Sequence, residues 1–431
     1  AALAAAPPAE DGPTVVQVKG TSGALEATRA LTFDVESLAL VGHVVSLLGT
    51  PLANVTAQSQ GKTAVTNAAG NFYLAGLAGP YDLTLSSAAD VWTHVYEGLT
   101  GDTLTFLPDG APLPSLGSGS MQFTGSLSGG SIPVPASHQV RVCAEGVDAI
   151  VIGCTTVAAG LSAYSLTTYW FDGSPQVRLH AFEIELDGDK PVDYIAYGTA
   201  TATVVDGVAQ VLDLTLGAGL SSFDYSVEAT VPTGYPTPTL NVLLRLGDHH
   251  WSILQTVAST YASVKVPVLD GVSASVLAGS AVGPNNINFG WGQVTTTQIA
   301  IPDTPVLGAP PDAATNVTSD TAFSAGFAPG QIPTYVWGPQ TDGAGPTYAL
   351  TTTRTDVRIP APDAGPLALP PGIPYEWVAY GVVANDVDHA TTSPGRGLLV
   401  QALATLSGSS WGFEGDGGLA MGESREFTTA P

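Results

Sequence analysis

Residues 41–85 constrain the fold of this chain more than any other stretch, because apolar and polar side chains alternate there and turn residues interrupt them. The sequence NAAG at residues 67–70 predicts a tight turn, in which Asn and Gly supply the left-handed backbone positions. Beyond the turn, Tyr81, Leu83 and Leu85 alternate with polar residues, which is the pattern of a strand with one buried face. The stretch therefore predicts a small all-β unit, and it contains no catalytic group.

Three pieces of this stretch carry a family resemblance: GTPLANV at residues 49–55, TNAAGNFYL at residues 66–74 and GPYDLTL at residues 79–85. Together they resemble the carboxypeptidase regulatory-like domain, a transthyretin-like sandwich. The family usually has a Pro-Gly pair before the last of these strands, whereas this chain has Gly79-Pro80, in the opposite order. The resemblance implies an extracytoplasmic folding unit that performs no catalysis.

The composition predicts strands rather than helices. Only 11% of the 431 residues are charged, while Gly and Pro number 50 and 33, a profile typical of short strands joined by turns. A chain of this length is too long for one hydrophobic core, and we expect roughly two to four domains.

The charge and the hydropathy exclude two classes of partner. The net charge of −25, from 37 acidic and 12 basic residues, would repel the phosphates of a nucleic acid. The sequence has no run of about eighteen apolar residues, so we predict no membrane span. The start of the sequence, AALAAAPPAEDG, is typical of the small residues around a signal-peptide cleavage site followed by a Pro-rich tether. We therefore predict an exported, extracellular or cell-surface protein.

The C-terminal part carries a second resemblance. TYVWGP at residues 334–339 would hold a core Trp337, and YEWVAYGVV at residues 375–383 would hold a core Tyr375. This part resembles a fibronectin type III or related Ig-like domain, with an insertion predicted within residues 388–422.

We predict an all-β fold, a tandem array of Ig-like and transthyretin-like β-sandwich domains. The predicted parts are a leader or tether at residues 1–13, a carboxypeptidase regulatory-like sandwich at 14–116, a sandwich with a disulfide at 117–218, a further sandwich at 219–303 and a fibronectin type III-like sandwich at 304–431.

Local patterns make sharper predictions. Residues 14–18 and 30–35 read as strands that could pair with the first domain, and residues 223–231 read as a strand with one buried face. The alternation changes phase within residues 176–186, which predicts a β-bulge near Ala181.

The two cysteines, Cys143 and Cys154, are close enough in sequence to pair across a hairpin. In an exported protein we predict a disulfide between them, which would contribute about 2–3 kcal/mol. Two buried thiols are the alternative. A metal site is not predicted, since two thiolates without a nearby histidine do not complete a tetrahedral shell.

The search for chemistry finds no catalytic set, and we predict no enzyme, no cofactor and no metal site. His249-His250-Trp251 is the one histidine cluster, and neighbouring strand residues point to opposite faces. Acidic turns at residues 187–193, 385–388 and 414–417 offer oxygen ligands for Ca²⁺, but solvated turns explain them as well. The other histidines singled out are expected to be strand residues facing water: His43, His94, His138 and His180.

Two functions fit these observations. The preferred one is a non-catalytic secreted or cell-surface structural or adhesive protein, such as a spacer, an adhesin or a filament subunit. Its partners would be further copies of itself, other surface proteins or glycans, and the Ala-rich leader could add to a neighbour's sheet. The alternative is a carbohydrate-binding or carbohydrate-processing accessory protein that uses acidic loops and exposed tryptophans, the candidates being Trp92, Trp251, Trp291 and Trp411.

Overall fold

The computed structural model describes residues 12–22, 25–35, 38–46, 50–109, 119–147, 151–170, 176–188, 190–246, 250–270, 272–281, 287–341, 343–391 and 416–431. The described part of the chain is nearly all-β, with several sheets and one four-residue helix. This architecture is consistent with tandem β-sandwich domains. The predicted fold class is therefore confirmed. Within these ranges no helix has the length and apolar character that crossing a membrane requires.

The strands of the first half are, in chain order, β1 (Gly12–Ser22), β2 (Leu25–Val35), β3 (Leu38–Val44), β4 (Thr56–Ser59), β5 (Lys62–Val65), β6 (Asn71–Leu77), β7 (Tyr81–Ser87), β8 (Trp92–Leu99), β9 (Thr103–Phe106), β10 (Gly119–Gly129), β11 (His138–Gly146), β12 (Val151–Ile152), β13 (Cys154–Val157), β14 (Ala163–Trp170), β15 (Gln176–Asp187), β16 (Lys190–Thr203), β17 (Gln210–Val211) and β18 (Leu214–Ala218).

The elements of the second half are β19 (Ser222–Thr230), β20 (Thr239–Leu246), β21 (His250–Ala258), β22 (Tyr261–Pro267), β23 (Val272–Ala281), β24 (Ile287–Gln293), β25 (Gln298–Ala300), β26 (Val306–Leu307), β27 (Ala314–Val317), β28 (Phe323–Gly326), β29 (Gln331–Pro339), β30 (Thr347–Thr351), β31 (Asp356–Val357), β32 (Pro374–Val383), α1 (Val387–Ala390), β33 (Gly417–Met421) and β34 (Arg425–Thr429).

The largest sheet has 14 strands and crosses the predicted domain limits. Its main order is β21-β20-β23-β24-β33-β32-β29-β30-β8-β7-β4-β5. Strands from the predicted first, third and fourth domains thus share one sheet, joined edge to edge. A second sheet, of nine strands, is built from β10 to β18. The limits of the individual domains stay a prediction.

The C-terminal part has its core between two sheets. Phe323 and Val357 come from the small sheet β26-β28-β31 and pack with aromatic residues of β29, β30 and β32. Trp337 and Tyr375 are both 0% exposed, which confirms the two core positions predicted from the sequence. Phe323 meets the ring of Trp337 edge-on, with 5.4 Å between ring centroids.

The strand β15 contributes its two faces to two different cores. Val177 and Leu179 pack inside the nine-stranded sheet's own core, whereas Phe182 and Ile184 pack against residues of β19, β20 and β22. We call this second side of β11, β15 and β16 the shared face. The alternation changes phase because both faces are buried.

The predicted bulge near Ala181 is displaced. The register of β15 on β16 shifts between Glu183 and Ile184, and again between Glu185 and Leu186. The extra residues lie on β16, because Glu183 and Ile184 face Ala196 and Tyr194, which are two residues apart.

The predicted strands at residues 14–18 and 30–35 fall within β1 and β2. These pair with each other in antiparallel register along their full length, and no other described strand pairs with either of them. Only two residues separate the two strands in sequence, so pairing them with each other costs little chain entropy. We call β1 and β2 the ribbon.

Candidate assembly site

The seam is the parallel pairing of β30 with β8, which joins the predicted last domain to the predicted first. Residues 347–351 lie opposite residues 92–96, one for one. Such pairing uses backbone N–H and C=O groups, which almost every residue carries, and needs no particular side chain. Two sheet edges that would otherwise remain open therefore become the interior of one sheet.

An ion pair lies at one end of the seam. Arg354 donates to both carboxylate oxygens of Glu97, with its Nε 2.9 Å from Oε2. The hydroxyl of Thr352 donates to the same carboxylate at 2.7 Å. Two nitrogens of one guanidinium thus bind the two oxygens of one carboxylate, which is the bidentate geometry typical of strong Arg–carboxylate pairs. The Arg354 side chain is nevertheless 57% exposed, so water screens much of the attraction.

A second set of contacts ties the predicted first domain to the region of α1. The backbone N–H of Thr100 donates to the Asp388 carboxylate at 3.0 Å, and the N–H of Leu107 donates to the carbonyl of Thr391 at 3.2 Å. The seam is thus supported by polar contacts on more than one segment.

His94 lies within the seam and is 0% exposed. The backbone N–H of Asp109 donates to its Nδ1 at 2.9 Å. Nδ1 therefore has no proton, and Nε2–H donates to Oγ1 of Thr351 at 2.9 Å. These partners fit the neutral ring, which also stacks on Tyr96. The prediction that His94 faces water is wrong, because β30 and the segment after β9 cover it.

A groove of about 420 Å³ lies beside the seam. Its apolar lining includes Val95, Leu350 and Ile359, and its charged lining is made of Glu97, Arg354, Asp356 and Arg358. None of its lining residues is a histidine, a cysteine or a hydroxyl nucleophile. The groove therefore offers contact area and charges of both signs, as a surface for binding would.

A second groove, of about 470 Å³, includes Trp291 in its lining together with Asp303 and Asp416. Trp291 is only 4% exposed. A Cβ placed on Gly417 would come within 2.5 Å of its ring, so the backbone of β33 lies against the indole. Stacking a sugar needs an open ring face, which this arrangement does not present.

The cysteines lie on the shared face. Cys143 of β11 and Cys154 of β13 are directly opposite in register and are joined in a disulfide, with 4.1 Å between their Cα atoms. His180 lies opposite Cys143 on the other side, on β15. The disulfide thus ties the short edge strand β13 to the sheet.

A buried polar network continues from there. His180, 3% exposed, bonds to Glu145 through Nε2 at 2.6 Å and to the hydroxyl of Tyr197 through Nδ1 at 2.7 Å. Arg178 lies 3.4 Å from the same Glu145 carboxylate. The prediction that His180 faces water is wrong, because strands of the predicted third domain pack over this face.

The opposite side of β15 holds Glu183, which is 0% exposed. His138 donates to its carboxylate at 2.7 Å through Nδ1, and the backbone N–H of Ser131 donates at 2.9 Å. Burial alone would raise the pKa of Glu183, but these hydrogen bonds outweigh it and hold the pKa below its ordinary value. The Glu183 carboxylate is covered by protein, so a substrate in solution does not reach it, and its pairing with His138 stabilises the fold.

Several of the tryptophans and histidines predicted as candidate binding residues are either buried or lie outside the described residues. Trp92 is 0% exposed, so it belongs to the core with Trp291 rather than to a sugar platform. His249 and Trp411 lie outside the described residues, as do the side chains of His250 and Trp251 and most of the insertion predicted within residues 388–422. Within the described ranges, no three His, Cys, Asp or Glu side chains come together in a way that could hold a metal ion. The burial of His94 and the edge pairing of β8 have no counterpart in the sequence pattern.

Comparison with known proteins gives distant resemblances. No protein-family model matches the chain, and no curated protein matches its sequence. Among solved structures, the Bacillus anthracis TIE protein matches 68% of this chain at 8% identity and a TM-score of 0.15, and the chain spans 60% of that protein's length. A fimbrial assembly protein from Parabacteroides distasonis matches 42% of this chain, and 98% of its own length, at 12% identity and a TM-score of 0.17.

The fimbrial anchor protein of Porphyromonas gingivalis also matches 42% of this chain, and 80% of its own length, at 10% identity and a TM-score of 0.17. Scores of this size do not establish a common fold, and they assign no role to this chain.

Proposed function

We propose that this chain is a non-catalytic structural or adhesive protein of the cell surface or extracellular space, and that it assembles through the edges of its sheets. The observation that carries the proposal is the seam. Here the chain already joins distant parts of itself by strand pairing, and strand addition is also one of the ways in which separate chains join.

The ribbon supplies a second reason. A two-stranded hairpin is only marginally stable in water, and it gains stability when a further strand or a packing surface is added. Each strand of the ribbon has 11 residues, and each has one edge that no described strand pairs. The ribbon is therefore suited to extend the sheet of another copy, with the leader at residues 1–13 as a further candidate for the same role.

The disulfide supports the proposed location. Disulfides persist in oxidising compartments and are rare in the reducing cytosol. The bond between Cys143 and Cys154 is consequently what an exported protein would have.

Electron microscopy and analytical ultracentrifugation test the proposal on three forms: the whole chain, a form without residues 1–11, which keeps all of β1, and a form without residues 1–35. We expect the whole chain to form end-to-end assemblies, more readily at higher salt, because salt screens a net charge of −25. Loss of assembly in the shorter deletion would identify the leader, and loss only in the longer deletion would identify the ribbon. Three forms that remain monomeric at every salt and protein concentration would contradict assembly between copies.

A further inference from the structure

The small sheet β26-β28-β31 has an open edge at β31. Among the described strands β31 pairs only with β28, with Asp356 opposite Ser324. The carbonyl of the residue before it, Thr355, accepts from the N–H of Ala325 at 3.1 Å. Successive residues of an antiparallel strand direct their backbone groups to alternate sides. The N–H and C=O of Asp356 therefore point away from β28, towards the open edge.

A groove lies along that edge. It is the groove of about 420 Å³ beside the seam, and we call it the seam groove. Its lining combines residues 356–360, in β31 and just after it, with Val95 and Glu97 of β8 and Leu350 of β30. The small sheet thus ends at β31, while the large sheet continues with β8. Val95 is only half-buried, so a further strand beside β31 would both extend the small sheet and cover this side chain.

The strand β2 of the ribbon has the sequence that such a strand needs. Leu31, Phe33 and Val35 alternate with Thr32 and Asp34, the pattern of a strand with one buried face. One edge of β2 is paired with β1, and no described strand pairs with the other. Placed beside β31, its apolar residues would lie on the apolar lining of the seam groove and its polar residues would face solvent.

The charges of the two surfaces are compatible. The ribbon has two bases and two acids, namely Lys19, Arg29, Glu26 and Asp34, and the charged lining of the groove also has two of each sign. Two neutral surfaces can meet without the repulsion that a net charge of −25 imposes on the rest of the chain. On the rim, Arg358 is 67% exposed and could bind a carboxylate of the added strand.

The ribbon that reaches the seam groove would come from a second copy. Tyr96 of β8 packs in the same core as Leu40 of β3, whereas the neighbouring Val95 packs against the core of the C-terminal part. Adjacent strand residues point to opposite faces, so β3 and the seam groove lie on opposite faces of the large sheet. Only two residues join β2 to β3, so the ribbon of the same chain begins on the far side of that sheet.

We propose that β2 of one copy adds to the edge of β31 in another copy and fills its seam groove, with Asp34 beside Arg358. Backbone hydrogen bonds supply the attraction, and the alternating apolar side chains set the register. The inference rests on the proposed function and names the donor and acceptor strands of the assembly.

Sedimentation velocity of the whole chain tests the site over a range of protein concentrations, at the lowest salt at which the wild type assembles. Asp356→Pro removes the N–H that faces the added strand and spares the ladder to β28, which does not use it. We expect it to raise the concentration needed for assembly at least about tenfold. The matched control is Thr63→Pro in β5, at another open edge, where the N–H likewise points away from its only partner β4. It should assemble as the wild type does, and urea unfolding shows whether each variant is folded.

Arg358→Glu, at an exposed side chain, covers the case in which Asp356→Pro does not fold. It should raise the concentration needed for assembly about fivefold, because like charges then meet at Asp34, and adding Asp34→Arg should reverse the effect. Folded Asp356→Pro that assembles like the wild type, an equal loss in Thr63→Pro, or no recovery with Asp34→Arg would overturn the inference and leave the proposed function standing. A wild type that stays monomeric at every concentration and salt would contradict both.

Discussion

The seam and the shared face both join parts of the chain that lie in different predicted domains, but they do so by different means. The seam pairs backbone with backbone, and its side-chain ion pair is half-exposed. The shared face packs buried side chains such as Phe182 and Ile184 against those of another predicted domain. The difference indicates that losing a buried side chain should be costly at the shared face, whereas losing the exposed ion pair should be mild at the seam, because the backbone ladder of the seam does not depend on that pair.

The largest effect is expected at the shared face. Phe182→Ala removes a ring that is 1% exposed and leaves a cavity between two packed regions, so we expect a loss of about 3–5 kcal/mol in the free energy of unfolding. Urea unfolding measures the change. Tyr169→Ala, at a side chain that is 47% exposed, is the control and should cost far less. An equal loss in both variants would contradict the packing described for this face.

The disulfide is expected to come next. Cys143→Ser with Cys154→Ser opens a loop with a sequence separation of 11 residues, which should cost about 2–3 kcal/mol. Urea unfolding of the double variant, compared with that of the oxidised wild type, gives the value, and adding a reductant to the wild type measures the same loss without mutation. A reductant that leaves wild-type stability unchanged would show that the bond does not contribute.

Glu183 should make stability depend on pH. Because its pKa is held below the ordinary value of 4.5, the stabilisation is fully present above that pH and is lost as the pH falls through the lower, folded-state pKa. Glu183→Gln should cost about 1.5–3 kcal/mol at pH 7, and the difference from wild type should shrink in acid. Asp320→Asn, at a carboxylate 90% exposed, is the control. A difference that stays constant from neutral to acidic pH would contradict the role of the charge.

The smallest effect is expected at the seam. Glu97→Gln weakens the pair with Arg354, and we expect a cost of no more than about 1 kcal/mol, reduced further by salt. A double-mutant cycle with Arg354→Met isolates the coupling. A coupling as large as the loss in Phe182→Ala would show that the seam depends on its side chains after all, and would remove the contrast between the two junctions.

The sequence predicted what depends on side-chain periodicity and missed what depends on backbone edges. The buried faces around Trp337 and Tyr375 follow from alternation with period two, which the residues themselves carry. The pairing of β8 with β30 leaves no such pattern, since any strand edge offers the same donors and acceptors. The burial of His94 and His180 was missed for the same reason: each lies on a face that only another part of the chain covers.

The change of phase along β15 shows a second feature that the sequence of a single strand does not determine. Alternation that shifts between Leu179 and Phe182 has two physical explanations, a bulge or a strand buried on both faces. The structure has the second along β15, together with bulges on the partner strand β16. One strand's sequence cannot distinguish them, because the difference lies in what packs against its other face.

Hydrogen exchange at single-residue resolution tests the seam most directly. Successive amides of a strand point to its two neighbours in turn. Because β30 lies between β29 and β8, we expect every amide of Thr347–Thr351 to be protected. In β5, at the end of the same sheet, no described strand pairs beyond β4, so every second amide should exchange freely. Alternate fast exchange in β30, matching that in β5, would show an open edge and contradict the seam.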